Sequence, residues 1–227
     1  MFELYGKMIE KNVIVSYNYS ASFSQMRRHK NNMKNRISCW ILLAGTIILT
    51  GCATQKDFTN TTLEIHKDGT LEQYIAENFE KDYYDQAELQ EMIESEISDF
   101  NLTEGSEKVQ LKEVKMKEGM ANPILTYQDA SSYSGFNDVT FFFGTIAQAY
   151  ENEVDLNITL QSVKEDAQIE KEDILQMGDS YILITEESMN IDTFHAIDYY
   201  SNNVTLNGKK EATVTTQDGE LAYIIFK

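Results

Sequence analysis

Chemistry at a protein site needs nucleophiles, proton carriers or metal ligands, and this chain supplies them unevenly. It holds two cysteines (Cys39, Cys52), three histidines (His29, His66, His195) and 37 acidic residues. Cys52 is the most conspicuous thiol, because it follows Leu49-Thr50-Gly51 at the end of an uncharged stretch, Ile37–Thr50. A zinc site needs three or four N, S or O ligands. Past Cys52 only His66 and His195 offer imidazoles, and no His-Glu-x-x-His is present, so no zinc is expected. Asp82-Tyr-Tyr-Asp85 and Glu151-Asn-Glu-Val-Asp155 bring oxygens close together. Neither has the Asp-x-Asn-x-Asp-Gly loop with its twelfth-position Glu, so loose cation condensation is expected in place of a calcium site. Ser131, Ser132 and Ser134 lie near Gly135 but in no Gly-x-Ser-x-Gly frame. Glycines are never arranged as a phosphate loop. Any carboxylate pair drawn from so many acids is uninformative about glycoside hydrolysis. No catalytic residue, metal ligand or cofactor is assigned.

Charge divides the chain in two. The 227 residues carry 19 Lys+Arg and 37 Asp+Glu, a formal charge of −18. Residues 1–51 hold seven of the bases and two of the acids, so residues 52–227 stand at −23. So acidic a body excludes nucleic acid, whose phosphates require clustered Lys and Arg. The length also leaves no room for a two-lobed solute receptor.

Arg27, Arg28, Lys30, Lys34 and Arg36 precede the apolar stretch. Basic residues followed by 7–15 apolar ones make an export signal. Fourteen residues form a helix of ~21 Å, short for a bilayer core of ~30 Å. With Leu at −3, small residues at −2 and −1, and Cys at the end, Leu49-Thr50-Gly51-Cys52 resembles the lipobox of bacterial lipoproteins. The resemblance implies a diacylglyceryl thioether on Cys52, cleavage between Gly51 and Cys52, and a lipid anchor at the extracytoplasmic face of the cell membrane. Two acyl chains hold a protein stably where one does not. Residues 26–51 are then the signal and 52–57 a polar tether. Residues 1–25 fit no part of this pattern and read as a start-site artefact, with initiation at Met26 or Met33 in place of Met1. With Cys39 removed and Cys52 acylated, the exported part has no disulfide and relies on its core.

Residues 58–227 read as one α+β unit: antiparallel hairpins, one well-defined amphipathic helix and short additional helices. Thr61–Lys67 and Leu71–Phe79 flank Asp68-Gly69, a hairpin signal. Asp85 caps a helix, with Glu88 completing a capping box, and Leu89, Met92, Ile93, Ile97 and Phe100 form its apolar face. Asn101 to Lys108 reads as a loop. Val109–Met116 alternates with a slip at Glu113 that suggests a bulge, and Pro123 places the returning run, Met120–Tyr127, at a sheet edge. Asp129–Asn137 is a short crossing and the expected place for any sub-domain seam. Val139–Phe143 is a brief apolar run, and strands are expected over Leu156–Val163, Tyr181–Thr185, Phe194–Tyr200, Val204–Leu206, Ala212–Thr216 and Leu221–Phe226. Thr145 caps a short helix to Tyr150, and Lys171–Met177 is another. Hairpin turns are expected at Asn207-Gly208 and Asp218-Gly219.

His66–Thr70, Glu80–Leu89 and Phe136–Thr145 are similar to passages in small lipoproteins of Gram-positive anaerobes, a resemblance that implies no activity. Among the aromatics, Tyr83, Tyr84, Tyr133, Phe136, Phe141, Phe142, Phe143, Tyr199 and Tyr200 either stack on a sugar or partner, or pack the core, and core packing is expected. The expected role is a non-catalytic binding or scaffolding module for an envelope protein or glycan. The alternatives are a wall enzyme working through carboxylates and an accessory subunit of a membrane complex.

Overall fold

Asp68 and Gly69 close the first hairpin by local chemistry. Asp68 Oδ1 accepts hydrogen bonds from Thr70 N (3.1 Å) and Thr70 Oγ1 (2.7 Å), and Gly69 takes φ 90°, which a side chain would resist. The computed structural model describes residues 59–80, 85–217 and 219–227, and within it Asp57–Lys227 form one compact unit. The hairpin joins β1 (Thr62–Ile65) to β2 (Leu71–Tyr74). The expected second strand breaks at Ile75-Ala76, and a two-residue β3 (Glu77–Asn78) follows.

Helix α1 (Gln86–Glu104) starts where its cap requires: Asp85 accepts from Ala87 N (2.7 Å) and Glu88 N (3.1 Å). Leu89, Ile93 and Ile97 are buried and Met92 and Phe100 half-buried, on the expected face. The helix runs one turn past Phe100, into the stretch read as a loop. It stops at Gly105, in the left-handed region at φ 67°, with Ser106 N bonded back to Asn101 O (3.2 Å). Asn101 ties this last turn to the next strand, accepting from Lys108 N (2.8 Å) and Val109 N (3.0 Å) and donating to Val109 O (2.8 Å).

Strands β4 (Val109–Lys117) and β5 (Met120–Tyr127) pair around a turn with Glu118 and Gly119 both at positive φ. Their register shifts between Leu111 and Glu113, a bulge where the alternation slipped. Pro123 does not lie at an edge, because β5 runs between β4 and the β2/β3 pair. It sits opposite the break between β2 and β3, where its missing N–H is replaced. Ile75 N donates to Pro123 O (3.0 Å), and the amide of Asn122 donates to Ile75 O (2.9 Å).

Asp129 caps α2 (Ala130–Asn137), after which β6 (Phe141–Thr145) begins a second sheet. Thr145 and Gln148 form a reciprocal capping box on α3 (Ile146–Glu151). Then come β7 (Leu160–Ser162), shorter than expected, β8 (Gln168–Ile169), α4 (Lys171–Gln176) and β9 (Tyr181–Thr185). A strand not foreseen, β10 (Asn190–Asp192), returns to the first sheet and pairs in parallel with β1, among otherwise antiparallel ladders. Finally, β11 (Ile197–Tyr200) and β14 (Ala222–Phe226) lie in the second sheet, while β12 (Val204–Leu206) and β13 (Glu211–Val214) between them form an antiparallel hairpin in the first. The turn Gln217–Glu220 therefore closes no hairpin: β13 belongs to the first sheet and β14 to the second.

The first sheet has the order β12-β13-β10-β1-β2-β5, with β3 and β4 also on β5; the second is β6-β9-β14-β11-β7-β8. Leu63, Ile65, Leu71, Leu125, Tyr127, Ile191, Ala212 and Val214 are buried on one face of the first sheet. In the second sheet, Ile182, Ile184, Tyr223 and Ile225 pack with Ile146, Ala149, Leu160 and Ile174. Leu183, Ile224 and Phe226 are also fully buried, so β9 and β14 are covered on both faces, which their near-continuous apolar runs anticipate.

Candidate functional site

Strand register builds the polar face of the first sheet. Residues directly opposite in a ladder share a face. Glu211 opposes Asp192, Asp192 opposes Glu64, and Glu64 opposes Glu72, so four carboxylates form a row across β13, β10, β1 and β2. The β4 bulge brings a cation to the end of this row. Lys112 Nζ lies 2.8 and 3.1 Å from the two oxygens of Glu72, and Tyr74 Oη donates to Glu72 Oε1 at 2.8 Å. His66 Nε2 stands 3.9 Å from Glu72 Oε2. Burial alone would raise the Glu72 pKa, but hydrogen bonds from Lys112 and Tyr74 and the ammonium charge outweigh it and hold the carboxyl low. Burial and the Glu72 bond push the Tyr74 phenol up.

Beside Glu72 lies a half-open groove of about 350 Å³, whose lining includes His66, Thr70, Lys108, Thr126 and Gln128. Lys108 Nζ is 3.2 Å from Asp129 Oδ2 at its rim. These groups supply donors and acceptors to a polar ligand. None is arranged as a nucleophile with its base, and a carboxyl held low is a poor general acid at neutral pH.

A second polar cluster is internal. Tyr127 and Tyr133 are fully buried, with ring centroids 4.9 Å apart, edge to face. Tyr127 Oη donates to Gln73 Oε1 (2.6 Å), Gln73 Nε2 to Tyr133 Oη (3.2 Å), and Tyr133 Oη to Glu187 Oε2 (2.6 Å). Asn137 Nδ2 donates to Tyr127 Oη (3.3 Å) and to Tyr133 O (3.0 Å). Burial raises the Glu187 carboxyl, against the Tyr133 bond, and raises both phenols. Sequence reading singled out Tyr133 alone from this cluster. Its partners lie 54 and 60 positions away, at a distance no local pattern reports.

Leu49, Thr50, Gly51 and Cys52, together with Asp82, Tyr83 and Tyr84, lie outside the described residues. Asp85 is occupied as a helix cap. Asp155 closes its own loop by accepting from Asn157 N (2.9 Å). Among the described residues no group of three or more His, Cys, Asp or Glu could hold a metal. His66 borders the first hairpin turn, as expected. His195 does not pack within a strand: it is exposed before β11, edge-on to Phe194 at 4.9 Å. The hydroxyls of Ser131 (2.7 Å) and Ser132 (2.6 Å) donate to Asp129 Oδ1. Burial works against these bonds and that of Lys108, yet they hold Asp129 well below the usual carboxylate range. Ser134 Oγ donates to Val139 O.

The aromatics pack the interior. Phe136 meets Phe100 and Tyr127, Phe141 meets Tyr133, and Phe143 stacks with Tyr181 and Phe226. Phe142 and Tyr199 pack against the core under α3 and α4, and Tyr200 is half-buried. Among the described residues no helix is long and apolar enough to cross a membrane. The chain matches no known protein family, no curated protein and no solved structure.

Proposed function

We propose that this chain is a bacterial lipoprotein, held at the extracytoplasmic face of the cell membrane by a diacylglyceryl group on Cys52. Its α+β unit is a non-catalytic binding or scaffolding module for a polar envelope partner, glycan or protein. The observation that carries the anchor is the ordered run of five bases, fourteen uncharged residues and Leu49-Thr50-Gly51-Cys52. Two features of the folded part support a binding role. Asp85 and Asp129 are engaged as helix caps, Asp155 in a turn and Glu72 in an ion pair. The groove beside Glu72 carries hydrogen-bonding groups of both polarities. A partner bound there is held by directed hydrogen bonds to groups already positioned by the hairpin and the β4 bulge.

Cys52→Ser tests the anchor. The variant is expected in the soluble extracytoplasmic fraction, while the native chain requires detergent for release. Equal retention of both in the membrane would overturn the reading.

A further inference from the structure

Glu187 lies on the link Glu186–Met189, where the chain passes from β9 in the second sheet to β10 in the first. The link is tied down on both sides. Glu186 Oε1 accepts from Thr140 N (2.7 Å), Glu187 N donates to Thr185 Oγ1 (3.1 Å), and Ser188 Oγ accepts from Thr216 N (2.9 Å). The partly buried Glu187 carboxylate receives the Tyr133 hydroxyl at 2.6 Å. That hydroxyl has a second acceptor within reach, Met189 Sδ at 3.8 Å, and it also accepts from Gln73 Nε2.

Two proton arrangements therefore satisfy the same heavy atoms. With Glu187 ionised, Tyr133 donates to Oε2. With Glu187 protonated, the carboxylic acid donates to the Tyr133 oxygen, and the tyrosine proton turns to the Met189 sulfur, a weak but adequate acceptor. We propose that Glu187 is a proton-operated latch at the junction of the two sheets, with the Tyr133 hydroxyl as the swivelling partner and Met189 as its acceptor once Glu187 is protonated. One proton enters from solvent on acidification, no heavy atom moves, and a partly buried charge disappears from the junction.

Among the described residues, the titratable groups bearing on Glu187 are Tyr133 on α2, Tyr127 on β5 and its neighbour Glu186. An anionic neighbour and burial both favour the neutral acid. Acidification thus firms the junction.

The test is a carboxyl-carbon NMR titration of the full chain in detergent micelles, with Glu187 assigned through its backbone, in the native protein and in Met189→Leu. The native midpoint is expected above the ordinary glutamate value of about 4.3, each unit being tenfold in the protonation equilibrium. Met189→Leu, which keeps the volume and removes the sulfur, is expected to bring the midpoint down. A native midpoint at or below the ordinary value overturns the latch, and so does a midpoint that Met189→Leu leaves unchanged. Should Met189→Leu fail to fold, Tyr133→Phe replaces it: the latch predicts a displaced midpoint, and an unchanged one overturns it.

Discussion

Two carboxylates in this protein each accept a hydrogen bond from a tyrosine hydroxyl, yet their surroundings move them in opposite directions. Glu72, on the polar face of the first sheet, is drawn low, while Glu187, at the junction of the sheets, is pushed up. The tyrosine bond is common to both, at 2.8 Å for Glu72 and 2.6 Å for Glu187. What differs is the neighbouring charge: Lys112 places an ammonium on Glu72 through the β4 bulge, while Glu186 sets a like charge beside Glu187. A single hydroxyl does not offset the desolvation of a carboxylate, whereas a hydroxyl and a cation together do.

The largest way to separate the two regions is to remove each tyrosine. Tyr133→Ala empties a fully buried site and is expected to cost about 3–5 kcal/mol, measured by urea denaturation. Tyr74→Ala, at a half-buried position, should cost clearly less. Equal losses would mean that the internal cluster contributes no more than the surface one. Tyr133→Phe keeps the ring and deletes only the hydroxyl shared by Gln73 and Glu187, at an expected ~1–2 kcal/mol. Replacing the helix cap, Asp129→Ala, removes the acceptor for Ser132 N and for two hydroxyls and should cost about 1 kcal/mol.

The smallest effect in magnitude is the sharpest in sign. Because the Glu72 carboxyl is held low, the stability it contributes is full above its unfolded value of about 4.3 and is lost as pH falls through the folded value. Glu187 is raised, so its contribution is most favourable below about pH 4.3 and declines as pH rises through its folded value. Lys112→Met should cost no more than ~1 kcal/mol at neutral pH, the ammonium being half-exposed, and should weaken the acid-side loss. Glu187→Gln should remove the decline on the neutral side. Stability curves of both variants between pH 3 and 8, unchanged in shape from the native curve, would contradict this assignment.

Local chemistry was the readable part of the sequence. Asp68-Gly69 announced the first hairpin, Asp85 and its apolar face announced α1, and Thr145 announced the start of α3, because each involves residues within a few positions. The slip at Glu113 disclosed the bulge, though not that the bulge delivers Lys112 to Glu72, 40 positions away. Sheet membership was not readable. The turn signal at Asp218-Gly219 is shared by hairpins and by links between sheets, and β10, three residues long, is too short to show a period. The Glu211–Asp192–Glu64–Glu72 row is a product of register alone. Pro123 misled because its edge preference assumes an unbroken neighbouring strand, and here the neighbour breaks at Ile75. The proposed lipobox, by contrast, is a linear pattern and needs no fold to be read.

The central claim is chemical and concerns one sulfur. Mass spectrometry of the mature protein, extracted from membranes and digested, is expected to find an amino-terminal peptide that begins at Cys52 and carries a diacylglyceryl thioether. A peptide that runs through Gly51 into Cys52 with a free thiol would contradict it.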